Sequence, residues 1–213
     1  KQTINSRRIK SVESANRIDW SEQETRLELI DKQLRDAGWK CDTENINYKN
    51  HKTLPKKGRN IAIAEWPCGG KYADYALFIG LELYGLVEAK KYGLDISTDL
   101  RQSKVYAENI IGNDSFQLLG EWENYKAPFL FSTNGRKYLE QIKTKSGIWF
   151  QDIRINTNHA YPLRGWLSPD GLKEIYDRDT ESANKKLTDS NYDYLSSPQG
   201  LNLRDYQIEA IKS

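Results

Sequence analysis

The sequence has few of the features that would place a protein in a membrane or in an oxidising compartment. It contains only two cysteines, Cys41 and Cys68, which form no Cys-x-x-Cys pair and have no histidine close by in the chain. A disulfide framework and a zinc site are therefore both disfavoured. No apolar run approaches the ~20 residues that span a bilayer, and the first ten residues lack the apolar stretch of a signal peptide. We expect a cytoplasmic protein.

Net charge is also close to balance. Its formal value is +2 in 213 residues, so any basic surface for nucleic acid must come from local clustering. Residues 48–60 form a polar segment for which a solvated loop is the favoured interpretation, although Lys52, Lys56, Lys57 and Arg59 could contact a phosphate backbone. The six Trp, thirteen Tyr and five Phe supply enough large apolar groups for a buried core.

Residues 21–39 have the pattern of an amphipathic helix. Ser21 and Glu24 have the spacing of a capping box, and Gly38 is a suitable residue to end the helix. Apolar side chains recur at helical spacing along one predicted face: Leu27, Ile30, Leu34 and Ala37.

Three short apolar segments follow and predict antiparallel strands over residues 61–66, 72–80 and 83–91. A turn region around Gly80 to Gly85 separates the last two. Since a strand's side chains alternate between its two faces, each segment is expected to place one face against the core.

A second helix is predicted over residues 97–111, with Ser97 or Thr98 as its N-cap. Residues 127–135 and 137–154 have further strand character. The order of helix, strands, helix and strands predicts an α/β class, with a mixed central sheet flanked by helices.

The composition changes at about residue 166. Residues 1–165 are predicted to form the main domain, residues 166–200 a helical connector, and residues 201–213 the start of another domain.

Charged residues occur within two of the apolar strands. Asp74 lies in the second, and Glu88 and Lys90 lie in the third, where residues two apart share a face. Burying ionised groups is costly unless they pair or bind metal. Two carboxylates brought together by neighbouring strands suit Mg²⁺, which prefers oxygen ligands. Lys90 would then either take a proton from the attacking water or stay charged and stabilise the transition state.

Simpler interpretations exist for these charges, namely a buried ion-pair cluster or an edge strand whose charges face water. Gln102 and Tyr106 add weight to the functional interpretation, because residues at i and i+4 lie on one face of the second helix. That polar pair would follow directly after the strand that carries Lys90.

Several blocks of sequence together resemble the restriction (R) subunit of type I restriction-modification enzymes, whose nuclease domain is of the PD-(D/E)XK type. The blocks occur in the family's order: SEQETRLELIDKQLRDAGW, KYADYALFIG, LVEAKK, RQSKVY, then APFLFSTNGRKY and KSGIWFQDIR, and finally LRDYQIEAI. They cover the chain from about residue 20 to its end.

The resemblance implies a restriction-endonuclease-like fold and a role for each matching residue. Asp74 and Glu88 would be the metal ligands and Lys90 the catalytic lysine of a type I site-specific deoxyribonuclease. Gln102 and Tyr106 would support DNA positioning and cleavage, and an acidic residue of the first helix, Glu22 or Glu24, would complete the site. In LRDYQIEAI, Gln207 would contact the adenine of ATP in the full-length subunit.

The family's activity is Mg²⁺-dependent cleavage of double-stranded DNA after ATP-driven translocation by a helicase-like motor, in complex with methyltransferase and specificity subunits. The Gly-rich phosphate loop of such a motor is absent from this sequence, so we expect no ATP hydrolysis by these residues alone. Two alternatives are a nuclease-fold module that no longer cuts and serves as a DNA-holding or subunit-docking platform, and a stand-alone repair nuclease.

Overall fold

The computed structural model describes residues 21–96, 100–178, 193–198 and 200–212. It has two compact units, Lys1–Lys173 and Glu174–Ser213. Ser97 and Thr98, the predicted N-caps of the second helix, lie outside the described residues. None of the described helices is long and apolar enough to cross a membrane.

The first helical segment begins as α1 (Glu22–Thr25), passes through a π-helical turn at Arg26–Ile30 and ends as α2 (Asp31–Asp36). The predicted capping box is confirmed. Ser21 Oγ accepts a hydrogen bond from the Glu24 N–H at 3.2 Å, and the Glu24 carboxylate accepts one from the Ser21 N–H at 2.7 Å.

The π-helical turn changes which side chains of this segment face inward. A π turn inserts an extra residue into the helical repeat, so the 3.6-residue pattern shifts along the chain. Ile30 and Leu34 are buried as predicted, whereas Leu27 is only half-buried. Arg26 takes an inward position instead, and this charged residue is buried.

Eight strands form one mixed sheet in the order β1-β2-β3-β4-β6-β7-β8, with β5 paired beside β4. Their bounds are β1 (Lys40–Cys41), β2 (Asn60–Cys68), β3 (Lys71–Ile79), β4 (Glu82–Ala89), β5 (Gln117–Leu118), β6 (Phe129–Thr133), β7 (Ile148–Asp152) and β8 (Tyr161–Pro162). The described helices are α3 (Tyr48–His51), α4 (Arg101–Asn109), α5 (Pro169–Asp177), α6 (Asp193–Ser196) and α7 (Asp205–Lys212), with one 3₁₀ turn at Lys143–Lys145.

The predicted antiparallel arrangement of β2, β3 and β4 is confirmed. The turn before β4 is shorter than predicted, because Gly85 lies inside the strand. A Cβ at Gly85 would lie 3.1 Å from both the Phe129 carbonyl oxygen and the Phe131 ring. This glycine therefore allows close packing of β4 against β6, and it is not a turn residue.

Two other expectations were too simple. The predicted loop 48–60 contains the short helix α3, which Asn47 caps by accepting a hydrogen bond from the Asn50 N–H at 3.0 Å. The predicted strand region 137–154 is a strand only over β7, with the 3₁₀ turn preceding it. Gly147, between the two, would bring a Cβ within 2.0 Å of the Arg136 carbonyl oxygen, so the chain is closely packed there.

Strand β4 is central to the sheet and has parallel β6 as its neighbour, with α4 in the connection between them. One face of the sheet packs on a large apolar core. Within it, Trp66, Phe78 and Phe116 make mutual edge-to-face contacts with ring centroids 4.8–5.5 Å apart. This core packs against β2, β3 and β4, the last two of which carry Asp74 and Glu88.

Candidate active site

Asp74 and Glu88 approach each other where the pairing of β3 with β4 stops. The last paired residues are Tyr75 and Val87. Beyond them the Asp74 carboxylate takes the place of a backbone acceptor, and its Oδ2 accepts a hydrogen bond from the Ala89 N–H at 2.7 Å. Asp74 is 8% exposed and Glu88 4% exposed, so the two acids share a nearly buried position.

The two oxygens of Glu88 have different surroundings. Oε1 accepts a hydrogen bond from the Lys90 ammonium at 2.5 Å. Oε2 is buried, and no described residue meets hydrogen-bond geometry with it, although the Tyr106 hydroxyl lies close enough to the carboxylate to oppose the rise that burial causes in the pKa of Glu88. An oxygen in this position could coordinate a cation.

Lys90 connects this carboxylate to helix α4. Its Nζ donates to Gln102 Oε1 at 3.2 Å, and Gln102 Nε2 donates to the Tyr106 hydroxyl at 2.6 Å. The structure thus brings Glu88, Lys90, Gln102 and Tyr106 into one hydrogen-bonded chain, with Asp74 beside it. The Lys90 side chain is 31% exposed, so its ammonium is accessible from solvent.

Two charged residues that the sequence interpretation missed lie on the other side of Asp74. Arg26 Nη1 donates to Asp74 Oδ1 at 3.0 Å and to Glu65 Oε1 at 2.6 Å. Glu65 is an acid within an apolar strand, like Asp74, so the same signal was present for it. Arg26 had no such signal, because the π turn that buries it does not show in the periodicity of the sequence.

The remaining predicted residues are placed differently. Glu22 is exposed, yet its carboxylate acts electrostatically on both buried acids and raises the pKa of each, after larger effects from burial. Glu24 is engaged in the helix cap. Gln207 lies in the second unit, where its Oε1 accepts a hydrogen bond from the Arg204 N–H at 3.0 Å.

Burial is the main cause of the pKa shifts at this site. It raises the pKa of Asp74 to about 7 from an ordinary 3.8, with Arg26 opposing the rise and Glu88 adding to it. Burial also raises the pKa of Glu88, against the opposing effect of Lys90. Burial and the Glu88 carboxylate raise the pKa of Tyr106 well above its usual range, so this phenol stays protonated.

A cleft of about 360 Å³ opens beside these groups. Its lining includes three members of the hydrogen-bonded chain and the start of α4: Glu88, Lys90, Leu100, Arg101, Gln102, Ser103 and Ser132. The cleft leaves Glu88 and Lys90 accessible to a ligand.

The residues present fit a hard divalent cation with few protein ligands. The described residues contain no group of three or more His, Cys, Asp and Glu side chains arranged to hold a metal ion. Two carboxylates do meet here, and no described residue meets hydrogen-bond geometry with Glu88 Oε2. Such a pair suits Mg²⁺, which keeps several waters and is completed by substrate phosphate.

The sheet defines a mixed α/β protein, and its paired acids form a candidate site for a divalent cation. A family model for the second domain of the type I restriction enzyme EcoKI endonuclease subunit matches residues 40–176. The EcoKI endonuclease subunit of Escherichia coli (strain K12) is 33% identical over a match 225 residues long, and the match covers 92% of this chain. A solved fragment assigned as an HsdR subunit of a type I restriction enzyme from Vibrio vulnificus YJ016 is 22% identical, with a TM-score of 0.45, over 92% of this chain and 32% of that one.

The protein belongs to the family of type I restriction enzyme endonuclease (R) subunits, because the family model matches more than half of the chain. This confirms the resemblance inferred from the ordered motifs. The chain spans 19% of the length of the Escherichia coli relative.

Proposed function

We propose that this chain is the nuclease region of an R subunit and hydrolyses phosphodiester bonds of duplex DNA with Mg²⁺ bound at Asp74 and Glu88. The observation that carries the proposal is the meeting of two nearly buried carboxylates, those of Asp74 and Glu88, beside the Lys90 ammonium. In this proposal the fold is of the PD-(D/E)XK type, and α4 supplies the Gln102 and Tyr106 pair.

Each residue of the site has a separate role in this proposal. Mg²⁺, when bound, would supply Lewis-acid chemistry to the substrate phosphate. Asp74 and Glu88 would hold the ion, and Lys90 would place its ammonium beside the phosphate, where it balances negative charge that builds on phosphorus. A water oxygen bonds to phosphorus and gives a proton to solvent, one phosphorus–oxygen bond of the backbone breaks, and the leaving sugar oxygen takes up a proton from solvent.

Gln102 has a positioning role in this scheme. It accepts a hydrogen bond from Lys90 and donates one to Tyr106, so the lysine is held between a carboxylate and an amide. We assign Lys90 to transition-state stabilisation, because its side chain is ion-paired with Glu88 and reaches the cleft.

The proposal extends to the complete subunit. Cleavage follows ATP-driven translocation by motor domains, in a complex with methyltransferase and specificity subunits that selects the DNA. Gln207 contacts the adenine of ATP there, since the motif LRDYQIEAI matches the start of that motor.

The first test is calorimetric titration of Mg²⁺ and Mn²⁺ into the protein and into Asp74→Ala and Glu88→Ala variants, with and without duplex DNA. We expect the unmodified protein to bind these cations and each of the two variants to bind neither. Binding that both variants retain would remove the basis of the nuclease proposal. It would favour a module that holds DNA or docks a subunit without cutting.

A further inference from the structure

A buried arginine is hydrogen-bonded to one of the carboxylates assigned to the metal. Nη1 of Arg26 lies between Asp74 Oδ1 at 3.0 Å and Glu65 Oε1 at 2.6 Å, and the Arg26 side chain is 7% exposed. Asp74 Oδ2 already accepts the Ala89 N–H. Both oxygens of Asp74 are therefore engaged, and a cation that binds through Oδ1 must compete with the guanidinium.

Glu65 is held in position for this contact by an unusual backbone. Its φ is +52°, in the left-handed region that non-glycine residues seldom adopt within a strand. The pairs Ala64 with Tyr75 and Trp66 with Ala73 flank it, so Glu65 lies opposite Asp74 in the register of β2 and β3. Strained residues of this kind persist where surrounding structure enforces them, often at functional sites.

The Arg26 guanidinium does not make all the hydrogen bonds that it could make. Arg26 Nε is buried and has no hydrogen-bond partner among the described residues. One nitrogen, Nη1, serves both carboxylates, and the guanidinium also lies over the Tyr75 ring, 5.4 Å from its centroid. The guanidinium therefore keeps a second carboxylate and an aromatic face when its bond to Asp74 is broken.

We propose that Arg26 is an internal competitor of the divalent cation at Asp74, and that Glu65 retains its guanidinium once the cation has taken Asp74. This inference rests on the proposed function, because it assumes that Asp74 is a metal ligand. Arg26 and Glu65 are positioning residues in this scheme and do not touch the substrate. Their effect is on the affinity of the site for the cation.

Charge gives the two residues opposite effects. Arg26 places a positive charge within hydrogen-bond distance of a cation ligand, so its removal strengthens cation binding. Glu65 draws the guanidinium away from Asp74 and adds a negative charge nearby, so neutralising Glu65 weakens binding. A merely structural ion pair predicts no such opposition, because loss of either partner would then disturb the site in the same direction.

The test is Mn²⁺ binding without DNA, measured by calorimetry at one fixed pH for all variants. Compared with the unmodified protein, we expect Arg26→Gln to bind Mn²⁺ about tenfold more tightly and Glu65→Gln to bind several-fold more weakly, from the charge removed in each case. Arg26→Lys keeps the charge and is expected to bind like the unmodified protein. The matched control is Arg164→Gln, which removes an arginine from an exposed ion pair with Glu140.

Melting temperature with and without Mn²⁺ provides a second measurement. Arg26→Gln is expected to melt at a lower temperature without the ion and to gain more from it than the unmodified protein. Affinities unchanged in both Arg26→Gln and Glu65→Gln, or changed in the same direction, would overturn the inference. If Arg26→Gln does not fold, the Mn²⁺ affinity of Glu65→Gln becomes the deciding measurement. An unchanged affinity in that variant overturns the inference. A protein that binds no Mn²⁺ at all would refute the proposed function itself.

Discussion

Gln102 Nε2 lies 2.6 Å from the Tyr106 hydroxyl, one helical turn further along α4. The amide is thereby oriented with its oxygen toward Lys90, which donates to it at 3.2 Å. The pair of Gln102 and Tyr106 therefore has a physical role, since it fixes the position of Lys90 relative to Glu88. The role is indirect, because Lys90 also has its own ion pair with Glu88.

We therefore expect Gln102→Ala to slow DNA cleavage about tenfold or more in the assembled enzyme, without weakening Mn²⁺ binding, because positioned charge is lost and the metal ligands are not. Tyr106→Phe keeps the buried ring and removes only the hydroxyl, so its effect is expected to be smaller. Cleavage rates and calorimetry on the same preparations separate the two effects. A loss of Mn²⁺ affinity in Gln102→Ala would contradict the indirect role.

The three central residues are expected to behave differently from Gln102. Asp74→Ala, Glu88→Ala and Lys90→Ala should each reduce cleavage by at least about a hundredfold while the protein stays folded, since they line a site and do not fill the core. Cleavage of plasmid DNA measures the first effect, and circular dichroism on heating measures the second. Unfolding of all three variants would instead favour a buried ion-pair cluster whose role is structural.

The sequence predicted the strands of the site better than it predicted the groups around them. Asp74 and Glu88 stood out because they are acids in apolar strands, and the strand pairing that joins them follows from segments separated by a short turn. Arg26 did not stand out, because the π turn that buries it comes from tertiary packing and leaves no mark on helical periodicity. Gly85 was misplaced in a turn for a related reason, since its contact with Phe129 and Phe131 is made across the sheet.

Asp31 offers a test that separates stability from the site. Its carboxylate is buried and accepts hydrogen bonds from the Thr43 N–H at 2.7 Å, the Tyr75 hydroxyl at 2.8 Å and the Cys41 thiol at 3.2 Å. Asp31→Ala leaves these buried donors without an acceptor and should lower the free energy of unfolding by about 3 kcal/mol. Urea denaturation measures this change.

Asp31→Ala should change the Mn²⁺ affinity of the folded protein far less than Asp74→Ala does, because the hydrogen-bond partners of Asp31 do not include Asp74, Glu88 or Lys90. Asp36→Ala is a matched control, since it removes an exposed carboxylate from the same helix. It is expected to change the free energy of unfolding by less than about 0.5 kcal/mol. A stability loss in Asp36→Ala equal to that in Asp31→Ala would contradict the role given to the buried hydrogen bonds.

The raised pKa of Asp74 predicts an unusual dependence of stability on pH. The folded protein binds this proton more tightly than the unfolded chain does, because the pKa is about 7 in the fold against an ordinary 3.8. The metal-free protein should therefore lose stability as pH rises from about 4 to 7, by up to about 1.4 kcal/mol per pH unit from this one group. Glu88, whose pKa is also raised, acts in the same direction.

Comparison with Asp74→Asn isolates this effect, since all other titrating groups are common to both proteins. The difference in unfolding free energy between the two, measured by urea denaturation at pH 5, 6, 7 and 8 without divalent ions, should shift in favour of the variant as pH rises. Added Mn²⁺ should reverse the trend for the unmodified protein, because a cation binds the ionised carboxylates and must displace the proton. A difference that stays constant across this range would mean that Asp74 is ionised throughout, held so by Arg26.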